Sequence, residues 1–358
     1  MAITGLNVGD NPQPGLSIGR CLRRAGELSG LTLLGITYDL QWTGVHDGEV
    51  FEAVHMLPPP WLDEETFVKR LLGTCREAGV RAILPCLDAD IAVLARHQDA
   101  VHCAGVRTFG PTRETLDALW GLWGSAQLVL GAVTIPRSAV AYAGHEIPRV
   151  LGGFAYPLVL RSAVGEIAKV ATAAEAHVVG GRFLQWWGGP LVFREWIEGE
   201  DYQVVALASK GALLGAVGVK VLTRGSNGSV WAVVTVADAD LVACTRAILG
   251  HTRWTGPLLL EFVKETWSGR VWLMGTSPRF PVWVEAARAA GQNLPAVAVE
   301  MALKGRINRA RQPGAYEAGL VWAMTSRDEI SDVAVLAELG NTGRVARGES
   351  LTVQGRRG

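Results

Sequence analysis

The sequence predicts an α/β chain: a parallel, helix-covered sheet at the N-terminus, followed by a larger α+β part built mostly of antiparallel strands. Three observations carry this. Over residues 1–110, short apolar runs alternate with segments of helical spacing, the βαβ rhythm of a parallel sheet. Between 156 and 280 the apolar runs come with Gly-containing turns between them, as antiparallel hairpins require. Apolar residues make up 49% of the 358 residues and charged residues 19%. That supports a large core and, at roughly 100–200 residues per domain, two or three domains.

The first apolar run is AITGLNV (2–8). The turn-rich GDNPQPG leads from it into LSIGRCLRRAG, whose helical spacing closes at Gly26. LTLLGITYD (31–39) reads as a second buried strand. WLDEETFVKRLLGTCREAG reads as a helix: Asp63 starts it, acids fill its first turn, Phe67, Leu71 and Cys75 share a stripe, and Gly79 ends it. VRAILPCLD (80–88) is a further strand. Ligands of parallel sheets sit beyond the strand C-termini, so GDNPQPG and CLDAD read either as walls of a site or as solvated turns. A second unit begins near Pro111 with the helical TRETLDALWGLWGSAQLVLG and then VTIPRSAVA. Strand-rich segments follow: YPLVLRSAVGEIAKVAT, GPLVFREWIEGEDYQVVALASKGALLGAVGVKVL, and GPLLLEFVKETWSGRVWLMGTSPRF with its turn at SGR. Residues 281–305 return to helix. From about 312 the pattern weakens, and VARGESLTVQGRRG reads as a loosely attached tail.

Lys+Arg and Asp+Glu both number 34, so no net field favours nucleic acid or an acidic membrane as partner. Cys21, Cys75, Cys86, Cys103 and Cys244 form no CxxC pair and suit buried thiols in a reducing, cytoplasmic setting. MAITGLNVGD lacks the charged and apolar regions of a secretion signal, and no apolar run reaches the ~20 residues of a membrane span. The seven histidines show no metal spacing, GLNVGDNPQPG is not a G-x-G-x-x-G fingerprint, and no G-x-S-x-G elbow supports a hydrolase. Trp120, Trp123, Trp186 and Trp187 cluster, and read first as core or interface packing.

Five segments in order, YPLVLRSAVGEIAKV, LVFREWIEGEDY, PLLLEFVKE, LMGTSPRF and SPRFPVWVEAARAAGQNLP, carry a resemblance. Together with the N-terminal βαβ unit they resemble the ATP-grasp superfamily, in its carboxylate–amine ligase branch, over residues 1 to about 305. The resemblance implies a Rossmann-like pre-ATP-grasp domain at 1–110, a small subdomain with its flexible loop at 111–190, a C-terminal subdomain at 191–311 and an extension at 312–358. It also implies a chemistry. ATP is held between two subdomains, Mg2+ bridges its phosphates, and the γ-phosphoryl passes to a carboxylate, giving an acyl-phosphate that an amine attacks.

Carried over residue by residue, the resemblance makes Glu261 the first metal carboxylate. The second carboxylate falls at Gly275 and the metal-binding amide at Ser277, a position with no side chain and one with a neutral hydroxyl. Arg161 stands where a phosphate-binding lysine is usual. TLDALWGLWGS has no lysine or arginine where another is usual, Lys169 and Lys220 are further candidate cations, and Arg279 keeps a catalytic arginine. The loop SAVGEIAKV holds one glycine, Gly165. Glu195, Trp196 and Ile197 fall at the nucleoside pocket, and Asp201 falls where a glutamate binds the ribose. Three readings follow: an impaired ATP-grasp protein partnering an active ligase, an active ligase with a rewired site taking a small-molecule or peptide carboxylate, and a binding module without chemistry. A homo- or hetero-oligomer, possible ATP and Mg2+ binding, and no nucleic acid or membrane complete the expectation.

Overall fold

A computed structural model describes residues 1–9, 12–28, 30–124 (backbone only at 120–124), 133–162, 166–225, 228–307, 315–325 and 328–346. Asp10 and Asn11, the side chains of Trp120 and Trp123, Gly165 and the tail beyond 346 lie outside the described residues.

The N-terminal sheet has Ala2–Ile3 between Leu34–Thr37 and Ile83–Leu84, all parallel, with Ala53–Met56 parallel on the far side of Leu34–Thr37. The helix Glu64–Glu77 covers it. Asp63 caps that helix, its carboxylate accepting the Thr66 N–H at 3.1 Å, and Phe67, Leu71 and Cys75 are buried along one stripe. The helix Gly15–Arg23 starts hard against the first strand. A Cβ at Gly15 would fall 2.4 Å from the carbonyl oxygens of Thr4 and Gly5, so only glycine fits there.

The largest sheet is six-stranded and antiparallel, in the order Val271–Ser277, Gly256–Glu265, Gly199–Ser209, Ala212–Arg224, Val230–Val236, Val321–Ala323. Its central run Val204–Ala208 is buried throughout, because both faces are covered. Val205, Leu207, Val217 and Val219 share a core with Trp283, Val284 and Leu294, and with Leu16 and Ile18 of the N-terminal unit. Val204, Ala206, Leu260 and Phe262 pack with Leu241 and Ile248 of the helix Ala239–Thr252. The first of these cores joins the N-terminal unit to the large sheet.

A second antiparallel sheet has four strands, in the order Ser138–Ala141, Leu191–Glu195, Leu158–Arg161, Ile167–Val170. It has its own core. Leu158, Leu160, Leu191 and Phe193 pack against Ile147 and Phe183, the latter on the helix Ala173–Trp187. Its other face is open to the large sheet.

The tail expected to be loose spans 345–358; its described residues, Val345 and Ala346, instead belong to a strand, and the rest lies outside the described residues. Val321–Ala323 adds an edge strand to the large sheet, and Arg344–Ala346 adds an antiparallel edge to the N-terminal sheet. The helix Val333–Thr342 lies between them, with Leu339 and Val345 buried. The two strands, of three residues each, are too short to show a period in sequence. No helix among the described residues is long and apolar enough to cross a membrane.

Candidate functional site

The open face of the four-stranded sheet gathers cations. Register places Lys169, Val159, Arg194 and Ser138 in one row across the four strands, and Arg161 and Val192 in the next. Leu158, Leu160, Leu191 and Phe193 point into that sheet's own core, so alternation turns Lys169, Arg161 and Arg194 to the opposite face. Arg194 shows where this face points. Its Nη1 donates to the Met274 carbonyl on the edge strand of the large sheet, and its Nε donates to Ser138 Oγ at 3.2 Å. Burial pushes the Arg194 guanidinium down to about 10. The charge of Arg161 adds to the fall, and Glu261 opposes it. The Lys169 ammonium sits 3.8 Å from the centroid of the Trp196 ring.

Across the cleft, Glu261 stands in register with Gln203 on one side and Gly275 on the other. A chain of hydrogen bonds fixes its carboxylate. The buried Trp283 indole, which can only donate, gives its N–H to Gln203 Oε1 at 2.6 Å. That orients the amide, so Gln203 Nε2 donates to Glu261 Oε1 at 2.9 Å. The other oxygen lies over Gly275, where a Cβ would come within 2.3 Å of Glu261 Oε2. In this rotamer the Glu261 carboxylate lies over the position expected for a second carboxylate. Ser277 lies two residues further along the same strand.

Arg279 reaches back to the N-terminal unit, its Nε donating to Asp88 Oδ1 at 3.0 Å. The end of CLDAD opens the helix Asp88–Arg96, which corrects its reading as a solvated turn. Asp88 faces the cleft-side arginine, while Asp90 is buried and accepts the hydroxyls of Thr4 and Tyr38, the latter at 2.8 Å. Burial raises the Asp90 carboxyl to about 6 against the pull of those two hydroxyls.

The Trp196 backbone N–H donates to the Pro157 carbonyl at 3.3 Å, and Ile197 is buried. Glu195 stands opposite Leu158, on the core side of its sheet and away from the cations. Asp201 shares the face of Gln203 and pairs with Arg224 at 3.0 Å. Lys220 pairs with Glu200 beside Tyr202, on the face covered by the helix Ala239–Thr252, opposite Glu261. The structure does not bring Lys220 to the other cations. Arg194, Gln203 and Trp283 are additions that sequence reasoning missed.

A magnesium site needs about six oxygens in octahedral array. Here the strand pair offers one carboxylate, Glu261, which accepts from the Gln203 amide, and the Arg194 guanidinium lies close by. No group of three or more His, Cys, Asp or Glu side chains among the described residues is placed to hold a metal. The residues present do not fit Mg2+. They do fit an anion: Arg194, Arg161 and Lys169 lie on one face, with the Trp196 indole against Lys169.

Compared with protein-family models and with curated proteins, the sequence matches none. Its structure does have likenesses. It superposes on the L-amino acid ligase from Bacillus licheniformis with a TM-score of 0.61 at 16% identity, covering 85% of this chain and 73% of that one. The biotin carboxylase domain of the Hydrogenobacter thermophilus 2-oxoglutarate carboxylase, solved with MgADP, ADP and bicarbonate, gives 0.63 at 14%, covering 87% and 72%. A biotin carboxylase domain of a thermophilic 2-oxoglutarate carboxylase, bound to ADP without magnesium and with a disordered phosphate tail, gives 0.54 at 16%, covering 89% and 73%. With two antiparallel sheets facing across a cleft behind an N-terminal parallel sheet, and with these likenesses over most of its length, the chain has the ATP-grasp fold.

Proposed function

We propose that this chain is an ATP-grasp protein impaired in carboxylate–amine ligation, acting in the cytoplasm as a structural or regulatory partner of an active ATP-grasp ligase in peptide or small-molecule modification. One observation carries the reading: Glu261 stands in register with Gly275, so this strand pair offers one carboxylate where the resemblance implies two. Phosphoryl transfer to a carboxylate depends on compensating the phosphate charge in the transition state, and removing one such group costs on the order of 10²–10³ in rate. In this reading residues 111–190 close over residues 191–311 with little or no turnover. The test is ADP release by the isolated chain, supplied with ATP, Mg2+ and an amino-acid mixture giving both carboxylate and amine. No release above the ATP blank is expected. Sustained release that needs the amino acids overturns the reading.

A second reading has its own support. Lys169, Arg161 and Arg194 on one face are what an active ligase would use to hold ATP. Under it, turnover is present and Glu261→Ala abolishes it.

A further inference from the structure

We infer that the cleft binds the polyphosphate of a nucleotide without a divalent metal, with Arg194 as a fixed cation and Arg161 beside it on the same face. The inference rests on the reading that this cleft takes a nucleotide, and it follows from the misfit with Mg2+. A dication entering here would meet a single carboxylate, one of whose oxygens accepts from Gln203 while the other lies over Gly275. It would also meet the Arg194 guanidinium, which donates to the Met274 carbonyl one residue from Gly275 on the neighbouring strand. Like-charge repulsion in a partly buried site opposes a metal and favours an anion.

The arginines suit that anion. A guanidinium presents a planar fork that grips phosphate oxygens in pairs and keeps its charge at neutral pH. Arg194 is held in place by the Met274 carbonyl and Ser138, each from a different sheet. Its charge is therefore positioned before any ligand arrives, which lowers the ordering cost of binding. Arg161 is exposed, one row along the same open face, within reach of the same ligand. The structural neighbour with ADP but no magnesium has a disordered phosphate tail. In this chain the two arginines are the groups that would order it.

The experiment is calorimetric titration of ADP into the full chain, once with EDTA and once with excess Mg2+, for the wild type, Arg194→Met and Arg161→Met. Wild-type affinity is expected to change by less than about threefold between the two buffers. Each arginine variant is expected to bind roughly 10- to 100-fold more weakly in both, the usual loss of one charged hydrogen-bonding group. A tenfold or greater dependence on Mg2+, arginine variants that bind like the wild type, or no wild-type binding at about 1 mM ADP each overturns the inference. Should Arg194→Met fail to fold, the exposed Arg161→Met still decides it. Failure here is separable from failure of the proposed function. The one is read as binding in EDTA, the other as ADP release in magnesium.

Discussion

Two strand pairs face each other across the cleft, and they differ in what they have kept. On the four-stranded sheet, Leu158–Arg161 and Leu191–Glu195 turn Arg161 and Arg194 outward, with Lys169 beside them on the next strand. On the six-stranded sheet, Gly256–Glu265 and Val271–Ser277 present one carboxylate where the resemblance leads one to expect two. The cationic half could receive a phosphate as it stands. The carboxylate half offers a metal one carboxylate, Glu261, which lies over Gly275 and accepts from Gln203, itself oriented by a buried indole.

The strongest way to break this contrast is at Gln203. Replacing it with leucine leaves the Trp283 N–H without its acceptor in a fully buried setting and removes the donor to Glu261. Stranding buried polar groups in this way should cost about 3 kcal/mol in denaturant unfolding. A loss below about 1 kcal/mol would mean that the hydrogen-bonded chain does not hold the carboxylate.

Next is Gly275→Ala, which tests the position beneath Glu261 directly. A Cβ 2.3 Å from Glu261 Oε2 makes the flexible carboxylate swing aside, at a cost of about 1 kcal/mol through the strained hydrogen bond from Gln203. In a Glu261→Ala background the same substitution should be nearly neutral, so a double-mutant cycle isolates the clash. Equal costs in both backgrounds would place the strain in the backbone and remove the carboxylate from the account.

The sequence and the structure agree best where one local pattern decides the outcome. The helix after Asp63 was legible because a capping carboxylate, an acidic first turn and the Phe67–Leu71–Cys75 stripe all point the same way. The order of the five family-like segments was legible because each is a contiguous run. Arg194 was not, because in LVFRE an arginine before a glutamate reads as strand-end polarity. The alternation with Leu191 and Phe193 puts it on the open face, but only the cross-strand register sets it in the row of Lys169. Lys220 failed for the complementary reason. Its strand is covered on both faces, so a lysine in VGVKVL carries no sign of which face it takes. The strand Ala53–Met56 and the short C-terminal elements gave too few residues for any period to emerge.

The smallest effect is expected at Lys169, and it separates packing from binding. The ammonium lies over the Trp196 ring at 3.8 Å, but both side chains are exposed. An exposed cation–π contact is worth about 0.5–1 kcal/mol, so Lys169→Met should lower stability by no more than that. Methionine keeps much of the stem's contact with the indole while deleting the charge. If the lysine serves mainly to rest on Trp196, nucleotide affinity should follow the small stability change and stay within about threefold of wild type. If it belongs with Arg161 and Arg194 as a phosphate cation, affinity should fall about tenfold or more while unfolding scarcely moves. The second outcome is the one the shared face predicts, since register alone sets Lys169 in the row of Arg194. The first would confine the cationic half to its two arginines and narrow the contrast between the sheets to that pair.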